Sequence, residues 1–203
     1  MSVDGTAMRT FVAVELDDRL KEALAQYLSV LQRAKPPMRL KWVQPENQHL
    51  TLQFLGEIAE ADVTRIAETL QKAVGGIAPF DIALRETGCF PSPSRPNVLW
   101  VGLHEPGGAL IRLQQSVSAQ LARVGFTPEE RGFTPHLTLA RVPREAKPAE
   151  RRALGEWFVK QPPPASQSMR VAQVHLMLSE LRPAGAQYTP LRIFALQNAV
   201  EYR

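Results

Sequence analysis

The tetrapeptide His49-Leu50-Thr51-Leu52 recurs as His136-Leu137-Thr138-Leu139, and this repeat restricts the folds open to the 203-residue chain more than anything else in it. Recurrence of a mixed polar and apolar pattern marks a duplicated structural unit. Successive side chains of a strand point to opposite faces, so each His and Thr share one face while the leucines take the other. The leucines belong in a core, which leaves each His-Thr pair on the polar face of its strand. Two lobes related by approximate two-fold symmetry would bring both pairs to one central cleft.

Such a cleft has a defined chemistry. Histidine titrates near pH 6.5, so one ring can accept a proton while the other, protonated, donates one. That pairing suits in-line displacement at phosphorus, where one imidazole deprotonates the attacking water and the other protonates the departing oxygen. The hydroxyls of Thr51 and Thr138 offer donors to the non-bridging phosphate oxygens. Packing alone needs apolar residues and gives no reason for His and Thr on both polar faces. Two histidines with no cysteine nearby make poor zinc spacing, so no metal is expected. Gly75-Gly76 and Gly107-Gly108 lack the spacing of a phosphate loop, and no cofactor is expected either.

Hydrophobic periodicity gives the surrounding elements. Strands are expected at Thr10–Leu16, Leu40–Val43, His49–Leu55, Phe80–Leu84, Val98–Leu103, His136–Val142, Val171–Leu178 and Leu191–Leu196. Helices are expected from Asp17 or Asp18 to Pro36-Pro37, from Val63 to Val74, from Leu110 to Val124 and from Pro148 to Val159, with a loop over Gln161–Ser168. Strand pairs with interspersed helices in two comparable halves predict an α+β fold. It would have two pseudo-symmetric lobes, each an antiparallel sheet flanked by helices, within one domain spanning residues 1–203.

Composition adds limits. With 44% hydrophobic and 22% charged residues the chain reads as a soluble globular protein. No apolar run is long enough to span a bilayer and the N-terminus lacks a signal core, so a cytoplasmic location is expected. A net charge of +4 and a sequence pI of about 9.5 suit a polyanionic partner without demanding one. The single cysteine, Cys89, has no disulfide partner in the chain and reads as a small buried hydrophobe.

At the two tetrapeptides the chain resembles the 2H phosphoesterase superfamily, specifically its RNA 2′,3′-cyclic phosphodiesterases, also called 2′-5′ RNA ligases. The resemblance extends over Arg9-Thr10-Phe11-Val12-Ala13-Val14, Trp42-Val43-Gln44-Pro45-Glu46-Asn47, Cys89-Phe90-Pro91 and Val98-Leu99-Trp100-Val101-Gly102. It continues through Pro128-Glu129-Glu130-Arg131, Phe133-Thr134-Pro135, Leu178-Ser179-Glu180-Leu181 and Tyr188. It implies a bilobal fold and hydrolysis of an RNA terminal 2′,3′-cyclic phosphate to a 2′-phosphomonoester. Carried onto this chain, His49 would be the proton donor to the 3′ oxygen, His136 the proton acceptor for water, and Thr51 and Thr138 the phosphate-binding residues. The partner would be an RNA or oligonucleotide with a cyclic phosphate end, the protein a monomer, and no membrane would be involved. The family places an arginine just before its Val-Leu-Trp strand, where this chain has Asn97, with Arg95 two positions earlier, so Arg95 and Arg141 are taken with Phe11 as the substrate-binding candidates. Arg141 follows the second motif as in the family, yet strict alternation puts it opposite His136 unless a bulge intervenes.

Further candidates are Phe11, as a floor for a terminal base or an inter-lobe packing residue, and a basic rim of Arg39, Lys41, Arg131, Arg141 and Arg144. Trp42 and Trp100 are expected to be buried, His104 to lie at the surface, and His175 to face solvent or a satisfying partner. Alternative activities are hydrolysis or weak reversible ligation of 2′-5′-linked oligonucleotides and hydrolysis of other small cyclic phosphates. A non-enzymatic RNA-binding module is the alternative of another class.

Overall fold

Asp17 opens the first helix, its carboxylate accepting the Leu20 N–H at 2.8 Å. This helix, α1 (Asp18–Arg33), buries Leu20, Leu24, Tyr27, Leu28 and Leu31 and ends before Pro36-Pro37. It follows β1 (Ala7–Glu15) and precedes β2 (Lys41–Trp42), β3 (His49–Ala59), α2 (Val63–Val74), β4 (Phe80–Phe90) and β5 (Val98–His104). Then come α3 (Ala109–Ala122), β6 (His136–Arg141), α4 (Pro148–Phe158), β7 (Ser168–Val171), β8 (Gln173–Arg182) and β9 (Gly185–Ala195). The computed structural model describes residues 7–128, 132–182 and 185–197. No helix among them is long and apolar enough to cross a membrane.

The strands form two antiparallel sheets, in the orders β3-β1-β8-β9 and β2-β6-β5-β4-β7, with helices against them. The architecture is the expected two-lobed α+β fold. The motif strands hold equivalent places, β3 beside β1 and β6 beside β5. The lobes are nevertheless not the two sequence halves, because the third strand of each is exchanged. β4 joins β5 through the short connection of residues 91–97 and pairs with it, while β8 crosses back to pair with β1.

Several strands depart from their expected bounds: β1 starts earlier, at Ala7, β3 continues to Ala59, and the strand expected over Val171–Leu178 is two, β7 ending at Val171 in one sheet and β8 starting at Gln173 in the other. β4 continues to Phe90 because its register shifts between Leu84 and Thr87, which breaks the alternation in the polar stretch Arg85-Glu86-Thr87. β9 starts at Gly185, where its pairing with Arg182 makes a strand of residues that carry no period-2 pattern.

Leu50, Leu52, Leu137 and Leu139 are all buried in one continuous apolar cluster that draws on both sheets and all four helices. On the other face of the first sheet, Phe11, Ala13 and Met177 form a small separate cluster with Tyr188 packed on it. β1 is thus buried on both faces, where the alternation of Val12, Val14 and Leu16 alone suggests a half-buried strand. Cys89 is buried as expected, and burial pushes its thiol up to about 11, which keeps it protonated.

Candidate active site

Each HLTL strand carries a bulge at its fourth residue. Ala13 pairs with Thr51 and Val12 with Gln53, which skips Leu52; Trp100 pairs with Thr138 and Leu99 with Ala140, which skips Leu139. One extra residue reverses the alternation beyond it. The side chains five positions after each histidine therefore return to the His-Thr face, and these are Phe54 and Arg141. Both strands show the same order of exposure, with His and Thr half-buried, the next residues buried and the fifth exposed.

A cleft of about 360 Å³ lies between the motif strands, and His49, Thr51, His136 and Thr138 all line it. Phe11 and Arg141 line it as well, the latter because of the bulge at Leu139. Arg9, Phe54, Phe90 and Tyr188 complete much of the wall, and the sequence pattern did not mark them as cleft residues. Phe54 was hidden by the bulge, and Tyr188 reaches the site from β9, whose place beside β8 no local periodicity reveals.

The two histidines are held alike. His49 Nδ1 lies 3.1 Å from the Asn47 carbonyl oxygen, and His136 Nδ1 lies 2.8 Å from that of Thr134. A carbonyl only accepts, so each Nδ1 carries the hydrogen and donates it. In the neutral ring the lone pair then sits on Nε2, the nitrogen available for proton exchange. Aromatic rings fix both imidazoles laterally. Phe11 lies 4.6 Å from His49 and Tyr188 meets the same ring edge-on at 4.8 Å; Phe90 meets His136 edge-on at 4.9 Å. Trp100 stands behind, 6.3 Å from His136 and 5.1 Å from Phe90.

Phe11 is only 2% exposed, so it supports His49 and offers no open floor for a base. The exposed aromatic on this wall is Phe54, at 50%. Burial, opposed by the hydrogen bond to Asn47 and aided by the Arg141 guanidinium, brings the His49 pKa down to about 4. Without an anion in the cleft His49 is neutral at pH 7.

Arg95 does not line the cleft. It lies in an open groove with Pro148 and Arg152, because the loop that carries it is docked on α4. There Arg151 donates to Pro96 O at 2.9 Å and Asn97 Oδ1 at 2.6 Å from one nitrogen, and to Pro143 O at 2.8 Å from another. Asn97 is thereby a structural acceptor. Of the anticipated rim, only Arg141 lines the cleft; Arg39, Lys41 and Arg144 are exposed elsewhere, and Arg131 with Glu129 and Glu130 lies outside the described residues. His104 is exposed at the end of β5, whereas His175 is 5% exposed and does not face solvent. It sits opposite Ala13, with Nε2 3.7 Å from a Glu15 carboxylate oxygen. Trp42 and Trp100 are half-buried. Among the described residues, no three His, Cys, Asp or Glu side chains converge on a point that could hold a metal ion.

Known proteins share this fold. The chain matches the family described as LigT like phosphoesterase twice, over residues 14–100 and 101–188. It is 36% identical over 189 residues to a Methanothermobacter thermautotrophicus protein named RNA 2′,3′-cyclic phosphodiesterase, covering 93% of this chain and 99% of that one. An Archaeoglobus fulgidus protein of the same name is 37% identical over 190 residues, with coverages of 92% and 99%. Escherichia coli LigT complexed with 3′-AMP superposes with a TM-score of 0.74 at 30% identity, over 95% of this chain and 99% of that one. The double match divides the chain between its two HLTL strands, one per copy, and with nearly full-length relatives at this identity the chain belongs to the LigT-like phosphoesterase family.

Proposed function

We propose that the protein hydrolyses the terminal 2′,3′-cyclic phosphodiester of RNA to a 2′-phosphomonoester, without a metal, by general acid and base catalysis from His49 and His136. The observation that carries this reading is the pair of His-x-Thr strands lining one cleft, each Nδ1 tied to a carbonyl two residues back. The names of the archaeal relatives supply the substrate class. His136 Nε2 takes a proton from water as its oxygen forms a bond to phosphorus. The bond from phosphorus to the 3′ oxygen breaks, and His49 gives that oxygen its proton. Thr51 and Thr138 donate hydrogen bonds to the non-bridging oxygens, and Arg141 faces their charge.

His49 has to be protonated to play the donor. The free cleft keeps it neutral, but a bound phosphodiester brings a negative charge beside the ring and offsets the guanidinium of Arg141, and both effects favour the imidazolium. Substrate binding and proton uptake at His49 are therefore coupled. The test is hydrolysis of a short RNA with a 2′,3′-cyclic phosphate end in the presence of EDTA, with the product isomer identified. A 2′-phosphate product that needs both histidines is expected, with each alanine variant reducing turnover roughly 10²–10⁴-fold. Loss of wild-type activity in EDTA, or a 3′-phosphate product, would overturn the reading.

A further inference from the structure

We infer that a second chamber, continuous with the cleft, binds the base of the nucleotide that carries the cyclic phosphate; this rests on the function proposed above. The chamber has a volume of about 440 Å³ and shares Thr51, Phe54, Phe90, Val98 and His136 with the cleft, so it begins at the reacting phosphorus. Its remaining wall comes from Leu52 and Gln53 of β3, Gln114 and Ser118 of α3, and the Gly132-Phe133-Thr134 segment.

The two spaces differ in chemistry. The cleft holds Arg9 and Arg141, which suit phosphate, whereas no described residue of the chamber is charged. The chamber has three phenylalanines, Phe54, Phe90 and Phe133, and two amide side chains, Gln53 and Gln114. A neutral, planar group with polar edges fits such a wall, since bases stack on aromatic rings and pair with amides along their edges.

One group in this wall lacks a partner. Gln53 is 2% exposed; its Oε1 accepts the Ser118 hydroxyl at 2.7 Å, and its Nε2 has no partner among the described residues. A buried unpaired amide N–H is costly, and its retention beside a cavity points to an acceptor that arrives with the substrate. The bulge at Leu52 turns Gln53 toward α3, where it meets Ser118, and sends Phe54 to the cleft face. A carbonyl oxygen or ring nitrogen of the base would complete the amide.

The experiment compares hydrolysis of uridine 2′,3′-cyclic phosphate with that of base-free ribose 2′,3′-cyclic phosphate, in wild type, Gln53→Met and Gln114→Ala. Wild type is expected to prefer the nucleoside roughly tenfold or more in kcat/KM, chiefly through KM, as base stacking allows. Either variant is expected to narrow that preference while leaving the base-free rate unchanged, which a general loss of structure would not do. Gln114→Ala, on the half-buried side of α3, keeps the test open if Gln53→Met does not fold. Equal KM for the two compounds in wild type, or an unchanged preference in every folded variant, would overturn the chamber while leaving the hydrolase reading intact. If neither compound is hydrolysed, the short-RNA assay judges the hydrolase reading and calorimetry decides the chamber: tighter binding of uridine 2′-phosphate than of ribose 2-phosphate, weakened in Gln114→Ala, supports it, and equal affinity overturns it.

Discussion

Gly88 and Trp100 stand directly opposite one another in the β4–β5 pair, and the indole fills the space that any side chain at position 88 would need. The equivalent row of the other sheet places His175 opposite Ala13. The two lobes thus exchange sizes across the same pair of positions, a large partner against a small one in each.

Gly88→Ala is therefore expected to force Trp100 out of place at a cost of about 1–3 kcal/mol, as overpacking does. Trp100 supports Phe90 and His136, so kcat/KM should fall with the melting temperature. Thermal unfolding and steady-state kinetics on the same preparation check this, and a variant that matches wild type in both would contradict it.

Arg141 acts on both the phosphate and His49. Arg141→Ala should lower kcat/KM by about tenfold or more, on the scale of a charge-assisted hydrogen bond worth roughly 1.5–3 kcal/mol. It should also raise the His49 pKa, since a positive neighbour that disfavours the imidazolium is gone. NMR titration of the imidazole in both proteins reads the shift directly, and an unchanged or lower midpoint would count against the arrangement.

His49 should titrate near pH 4 in the unliganded protein. With a nucleoside 2′-phosphate bound, the midpoint should move toward neutrality, so binding near pH 6 should take up protons. Calorimetry in two buffers of different ionisation enthalpy measures that uptake. The part owed to the ring should be lost in His49→Ala, leaving only the proton exchange of the phosphomonoester itself, whose second pKa is about 6.

Acid stability follows from the same signs. His49 and His175 both have folded pKa values below the usual 6.5, each mainly through burial, and for His175 the Glu15 carboxylate opposes the shift. Below pH 6.5 the unfolded chain binds protons that the folded protein does not, so their contribution is full above pH 6.5 and declines as the pH falls toward 4. The melting temperature should drop across that window, and more gently in His175→Gln. Equal slopes would show that His175 takes no part.

The chemistry of the site was legible because a strand's period of two sorts His and Thr from Leu without reference to anything distant. What strict alternation missed lies past the bulges: Phe54 stands on the cleft face with His49 and Thr51, and Arg141 was left undecided. Tyr188 and Arg9 were beyond local pattern because their positions depend on which strands become neighbours. Arg95 was misplaced for a related reason. Nothing in its own segment shows that Arg151, on α4, holds that loop through Pro96 and Asn97. Phe11 was left open between a floor for a base and a packing residue, because how deeply His49 and Tyr188 cover it depends on three strands at once.

The exchange of β4 and β8 makes the halves of the chain obligate complements. A polypeptide cut within residues 91–97 would leave one fragment with the first HLTL strand and the displaced β2 and β4, and the other with the second HLTL strand and the displaced β8 and β9. Neither fragment can complete the sheet around its own motif, because each carries strands that belong to the other's. Activity should return only when the two are mixed, in equal amounts, and two intact chains could meet the same need by trading halves with one another.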